Sequence, residues 1–274
     1  MTILVTGATG NIGRMVVDEL SGRGHTIRAL TTNPAKAALP AEVEVFTGYV
    51  RKPETLTAAL DGVEKLYLPP TAETIETVAE MAKRAGVRHV VALTSILATD
   101  DAEDEYALSF VAIERTLRES GLDWTFLRPG AFMENTTNWA ESIRTESVVL
   151  APFPQSSDTA IAMSDIAAIA ATALAGDGHE NKVYRLSGPE QITIPEQVRA
   201  FGDALGRDIR YIEQTRDEAK QAWLASGIDE DTAEWLLAGG PDLRVSVEHD
   251  FERATGRPPI TYAEWARRNA DLFR

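Results

Sequence analysis

Ile3-Leu4-Val5-Thr6-Gly7-Ala8-Thr9-Gly10-Asn11-Ile12-Gly13 changes its hydrophobic period halfway along, and that change decides the fold. Residues 3–6 are a short apolar run closed by glycine, as in a strand buried on both faces. From Ile12 the apolar residues recur at Val16 and Leu20, which is helical spacing. Between the two, Gly7, Gly10 and Gly13 leave a turn without side chains at a helix start, where backbone N–H groups can be approached closely by an anion. An ordinary turn also uses glycine. Strand before and helix after turn the string into a candidate cradle for the pyrophosphate of a dinucleotide.

Outward from this turn the alternation repeats. Gly22 and Gly24 stop the first helix, and strands follow at 27–30, 43–46 and 65–68, the last closed by Pro69-Pro70. Ile75, Val78, Ala79 and Ala82 form a helical stripe, 89–94 reads as a strand, 108–120 as a helix and 124–127 as a strand. Alternating β and α units imply a parallel sheet with right-handed crossovers and helices on both faces. The expected fold class is therefore α/β, a doubly wound parallel-sheet Rossmann fold. That domain is expected over 1–150, with further sheet and helix segments near 160–190. A smaller, mostly helical C-terminal lobe that binds substrate is expected over 191–274, with Trp223, Trp235, Tyr262 and Trp265 as its aromatic anchors.

Composition narrows the function classes. Hydrophobic residues at 44% and charged residues at 25% suit a globular protein, and 27 Lys and Arg against 42 Asp and Glu give a formal charge of -15. An acidic surface of that size repels nucleic acid and anionic membranes, so a small molecule is the expected partner. There is no cysteine, and His25, His89, His179 and His249 are scattered without metal-ligand spacing, so no metal site is expected. With no basic leader and no apolar stretch long enough to span a bilayer, a cytoplasmic location is expected. Oligomeric state is not legible.

Cofactor choice turns on the end of the second strand. NAD-selective sites carry an Asp or Glu there, about 20 residues after the glycines, on the ribose hydroxyls. Here the position reads Thr31-Thr32-Asn33. Without a carboxylate the 2′-phosphate of NADP is not repelled, and these donors with nearby Lys36 can hold it, although no arginine supplies the usual fork. NADP is favoured and NAD stays open. The same residues also suit a plain strand-ending turn before Pro34.

Several strings together carry a resemblance: Gly7 to Gly13, Leu30-Thr31-Thr32, Thr94-Ser95, Glu114 in a helix ending Ser120-Gly121, and Trp124-Thr125-Phe126-Leu127-Arg128-Pro129-Gly130. With Tyr184-Arg185-Leu186-Ser187-Gly188-Pro189 and Ala204-Leu205-Gly206-Arg207, nearly the whole chain resembles the NmrA-like family of atypical short-chain dehydrogenases/reductases. The resemblance implies a Rossmann lobe binding NAD(P)H and a pocket between two lobes. It further implies either reduction of small carbonyl, quinone or enone substrates or a non-catalytic cofactor-sensing role. Carried over, it sets Gly7, Thr9, Gly10, Asn11 and Ile12 at the pyrophosphate, and Thr32 and Asn33 at the adenosine ribose. Leu68 and Pro69 fall at the cofactor's middle and Pro129 at the nicotinamide, with Thr94 also among the cofactor-binding residues. The family often has Arg where this chain has Thr32, and Asp where it has Tyr49 after Gly48.

Hydride transfer to a carbonyl needs a donor for the developing alkoxide, for which short-chain dehydrogenases generally use a Ser, a Tyr and a Lys four residues beyond. If Glu114 marks that family's glutamate, the pair falls at Tyr106 and Phe110 and Ser95 falls near the serine: the tyrosine survives and the lysine is lost. A phenol with an ordinary pKa of about 10 then stays protonated, and the five carboxylates of residues 99–105 push it further up. It can still donate a proton. Tyr106 is equally readable as a helix-start packing residue, and Ser95 as a strand-end cap. Phe132, Trp139, Phe153 and the C-terminal tryptophans suit an apolar pocket or simply a core. With no nucleophile elbow or histidine triad, hydrolase chemistry is excluded. A quinone or enone best tolerates the missing lysine. The expected function is NADPH-dependent reduction of a small conjugated or aromatic carbonyl or quinone, with Tyr106 or water supplying the proton. The alternative is a non-catalytic NAD(P)-binding redox sensor acting on a protein partner.

Overall fold

A computed structural model describes residues 1–238 and 246–274. In chain order the elements begin with β1 (Thr2–Val5), α1 (Asn11–Leu20), β2 (Thr26–Thr31), β3 (Glu44–Thr47), α2 (Thr57–Leu60), β4 (Lys65–Leu68) and α3 (Ile75–Arg84). They continue as β5 (His89–Leu93), α4 (Glu105–Ser120), β6 (Asp123–Pro129), α5 (Ala140–Glu146), β7 (Val148–Ala151), β8 (Ser157–Asp158), α6 (Met163–Ala175) and β9 (Lys182–Leu186). Last come β10 (Ile192–Thr193), α7 (Ile194–Leu205), β11 (Arg210–Glu213), α8 (Arg216–Ala225), α9 (Glu230–Leu237), α10 (Asp250–Thr255) and α11 (Tyr262–Arg268).

Seven strands form one parallel sheet in the order β3-β2-β1-β4-β5-β6-β9, the doubly wound fold that the alternation implies. Both faces are covered, so β1 and β4 are apolar at nearly every position. On one face Leu4, Leu66, Leu68, Val90 and Phe126 pack against Ile75 and Val78 of α3 and Phe110, Ile113 and Leu117 of α4. Each such fully buried side chain contributes roughly 1.5–3 kcal/mol. On the other face α1 packs on α6, whose many alanines let helix and sheet approach closely.

The chain divides into two compact units, of residues 1–129, 163–186 and 249–258, and of 130–162, 187–248 and 259–274. These are interleaved: the first unit takes in 163–186, within the region near 160–190 assigned above to the Rossmann domain, and also 249–258 from within 191–274, while 130–150 falls in the second unit. The reason is that the sheet is completed late. Strand β9 adds beside β6, and α10 packs against β9 and α6, with Phe251 fully buried and Asp250 accepting the Arg185 N–H at 2.9 Å. Periodicity marks an element but not the sheet it joins.

The second unit is mostly helical, with two small sheets, β7 parallel to β11 and β8 antiparallel to β10. Its core centres on Phe201, ringed by Trp139, Tyr262, Trp265 and Phe273. Trp265 is thus a core residue and Trp139 is half-buried against that core, one of the two readings open for them.

Candidate functional site

The strand order reverses between β1 and β4, and in open α/β sheets ligands bind beyond the carboxyl ends of the strands at that point. Thr6 ties the ends of the two strands together, its N–H and hydroxyl both donating to the Tyr67 carbonyl at 3.2 and 2.8 Å. Gly7 follows in the left-handed region at φ 62°, where a side chain is strained. At Gly13 a Cβ would lie 2.2 Å from the Gly7 carbonyl oxygen, so only glycine fits.

Helix α1 starts without a side-chain cap, and the first N–H to close onto it is that of Arg14, donating to Gly10 at 3.0 Å. The N–H groups of Asn11, Ile12 and Gly13 therefore face outward at the positive end of the helix dipole. A cradle of donors stripped of side chains fits a pyrophosphate.

Beside it lies a cavity of about 310 Å³. Its walls are Gly7 and Thr9 of the turn, residues 30–32 at the end of β2, residues 48–51 after β3, and Pro69 and Pro70 after β4. The Thr9 and Thr31 hydroxyls meet at 2.9 Å, and the Ala8 N–H donates to Leu30, so turn and strand are stitched together. A Cβ on Gly48 would lie 2.7 Å from Leu30 Cδ1 and 3.1 Å from the Thr55 carbonyl oxygen, so a side chain there would require Leu30 to shift.

Of the expected cofactor residues, Gly7, Thr9, Thr32 and Pro69 line this cavity, and Gly10, Asn11 and Ile12 form the adjoining helix start. The others lie outside this lining. The Leu68 side chain belongs to the core. Asn33 and the exposed Lys36 sit on a short 3-10 turn outside the lining. Thr94 is buried, with its hydroxyl donating to Glu114 at 3.0 Å. Pro129 is also buried, and its carbonyl accepts the Ile96 N–H at 3.1 Å. An arginine also lines this wall, Arg51, which comes from the loop after β3 and not from the end of β2. Val50 and Arg51 are not among the expected residues, because the end of β3 meets the end of β2 only through sheet pairing, Thr31 opposite Thr47, and Pro70 joins the lining beside Pro69 after β4.

The Ser, Tyr and Lys positions do not assemble into a hydrogen-bonded group. Ser95 Oγ accepts the Leu97 N–H at 3.2 Å, and among the described residues its own proton has no acceptor. Tyr106 stands in the first turn of α4, 58% exposed, its ring edge-on to Phe110 with centroids 5.0 Å apart. Burial of part of the ring, and then the Asp104 carboxylate, raise its pKa above the usual phenol range. Phe110, at the lysine position, is buried in the core. Glu114, only 1% exposed, is held by Arg128 at 2.7 and 2.6 Å and by Arg118 at 3.1 Å.

Fold and cradle define a dinucleotide-binding protein of the doubly wound class. The chain belongs to the NAD(P)H-binding family, whose profile matches residues 7–177, and its relatives are of the NmrA-like, atypical short-chain dehydrogenase/reductase kind. It is 37% identical, over 99% of each chain, to a (4-alkanoyl-5-oxo-2,5-dihydrofuran-3-yl)methyl phosphate reductase of Streptomyces griseus. It is 36% identical, again over 99% of each, to an NAD(P)H azoreductase of Xenophilus azovorans. An NADPH-dependent quinone oxidoreductase of Escherichia coli, solved with NADPH, superimposes with a TM-score of 0.82 at 27% identity over all of both chains. The protein is an NAD(P)H-dependent oxidoreductase. Among the described residues no helix is long and apolar enough to cross a membrane.

Proposed function

We propose that this oxidoreductase uses NADPH to reduce a small conjugated acceptor, a quinone, an enone or a conjugated aromatic carbonyl, with Tyr106 or water supplying the proton. The observation that carries this reading is Phe110 packed into the core at the lysine position, which leaves no cation beside Tyr106 on its own helix face, while partial burial and then the Asp104 carboxylate raise the Tyr106 pKa. A simple ketone yields a localised alkoxide that needs a positioned acid. A quinone or enone yields a delocalised anion that one hydroxyl or solvent can protonate. The names of all three relatives specify an unsaturated acceptor, which supports the same class.

The bound cofactor supplies the hydride. Gly7, Thr9, Gly10, Asn11 and Ile12 hold its pyrophosphate, Thr32 and Pro69 flank its adenosine half and middle, and Pro129 limits the nicotinamide end. Ser95 donates its free proton to the substrate oxygen, and the second unit is the substrate-binding lobe.

The test is NADPH oxidation at 340 nm by the purified protein with quinones, enones, aromatic ketones and simple ketones, repeated with Tyr106→Phe. Turnover is expected for conjugated acceptors only. A loss of roughly a hundredfold in the variant assigns the proton to Tyr106, in the range of general acid catalysis, whereas a near-unchanged rate assigns it to water. Turnover of simple ketones at rates equal to the quinones would overturn the reading.

A further inference from the structure

We infer that Arg51 selects NADPH over NADH, taking the part that an arginine at the end of β2 would otherwise play. The inference rests on the cofactor reading above and adds to it the residue that recognises the 2′-phosphate.

The end of β2 lacks any charge with which to choose. Thr31 is buried, and its hydroxyl is engaged with Thr9 at 2.9 Å and accepts the Asn33 N–H at 3.3 Å, so it holds the turn rather than a ligand. Thr32 is exposed on the same wall, and among the described residues its hydroxyl has no partner. Lys36 lies outside the lining. Among the described residues that line the cavity, Arg51 is the only cation.

The loop that presents Arg51 is built in advance. Gly48 donates to the Thr31 carbonyl at 2.9 Å, and the Tyr49 N–H donates to Thr55 Oγ1 at 3.0 Å. The Lys52 N–H closes the turn onto Tyr49 at 2.8 Å, and the Thr55 hydroxyl donates to the Lys52 carbonyl at 2.7 Å. Val50 is buried, and its carbonyl accepts the Thr74 hydroxyl at 3.0 Å. The backbone on both sides of Arg51 is therefore anchored while its side chain remains 54% exposed.

Among the described residues Arg51 pairs with Glu73 at 3.6 Å, itself 62% exposed. Such an exposed, loose pair is worth roughly 0–1 kcal/mol, well below a charge-assisted contact to a phosphate. Glu73 keeps the guanidinium beside the cavity without competing seriously for it. On a chain of net charge -15, a lone cation beside Thr32 is the feature that turns general repulsion of a phosphate into local attraction.

The experiment is tryptophan-fluorescence titration of the full chain with NADPH, NADH, 2′,5′-ADP and 5′-AMP, in wild type, Arg51→Gln and Glu73→Gln. Arg51→Gln is expected to weaken NADPH and 2′,5′-ADP by roughly ten- to a hundredfold, the loss of one charged hydrogen-bonded contact. NADH and 5′-AMP should stay within about twofold, which also shows that the variant is folded, and the salt dependence of NADPH affinity should become shallower. Glu73→Gln should tighten NADPH by a few-fold at most. Equal weakening of NADPH and NADH, or no change in either, overturns the inference while leaving the proposed reductase intact. A wild-type protein that binds neither dinucleotide overturns the functional reading itself.

Discussion

Gly13 shows how much one position can decide. A Cβ there would meet the Gly7 carbonyl at 2.2 Å, whereas at Gly10 the nearest contact would be 3.2 Å. Backbone cannot rotate away as a side-chain tip can. Gly13→Ala should therefore cost about 2–3 kcal/mol of stability by overpacking and lower NADPH affinity at least tenfold, since it displaces the donors of the cradle. Gly10→Ala should do much less. Denaturant unfolding and cofactor titration of the two variants side by side check the ranking, and equal effects would sink it. All three glycines were legible from their spacing. Arg51 was not, because its meaning comes from the strand it sits beside.

Helix α4 illustrates the same division among elements. Its start is written locally, with Asp104 accepting the Ala107 N–H at 2.8 Å as the cap. Its end is a left-handed Gly121. Its attachment is not local. Glu114 reaches Thr94 at the end of β5 and Arg128 on β6, so one buried carboxylate fastens helix to sheet. Removing one member of a buried pair leaves the other charge unmatched, so Glu114→Ala should cost about 3–5 kcal/mol. Chemical denaturation with an unchanged m-value would confirm it, and a loss below about 1 kcal/mol would show that the pair is replaceable by water.

Across the whole molecule, the amino ends of the sheet strands hold a polar layer opposite the cofactor end. His89 on β5 meets Thr125 on β6 at 2.8 Å, and the Thr125 hydroxyl donates to the His179 carbonyl at 2.6 Å. With that proton spent, His89 Nε2 must be the donor, and Nδ1 is left bare and buried, with no partner among the described residues. Lys65 on β4 stands near, donating to the Gly176 carbonyl at 2.5 Å just beyond the end of α6. Burial first, then the Lys65 charge, pull the His89 pKa down to about 4, and Glu180 and Asp123 offset this only in part.

The folded state thus binds fewer protons than the unfolded one between pH 6.5 and 4. Stability from this group is full above 6.5 and is lost as the pH falls through that window. About 2 kcal/mol should go between pH 7.5 and 5. His179 and His25, also lowered chiefly by burial, act in the same direction. Urea midpoints at pH 7.5, 6 and 5 measure the slope, and His89→Gln should flatten it. A slope as steep in the variant would place the effect elsewhere.

The hydrophobic period by itself determined the alternating strands and helices, and the glycine spacing the cradle and hence the class of cofactor, because each follows from neighbours along the chain. Only the tertiary structure decided that residues 249–258 return to the first unit and that 130–150 belong to the second. It also decided that Thr94 serves Glu114, that Phe110 closes the core where a lysine would stand, and that Arg51 and Thr32 line one cavity. These are juxtapositions made by strand pairing and crossover. A parallel sheet brings together residues tens of positions apart, and no local pattern records which strand will lie beside which.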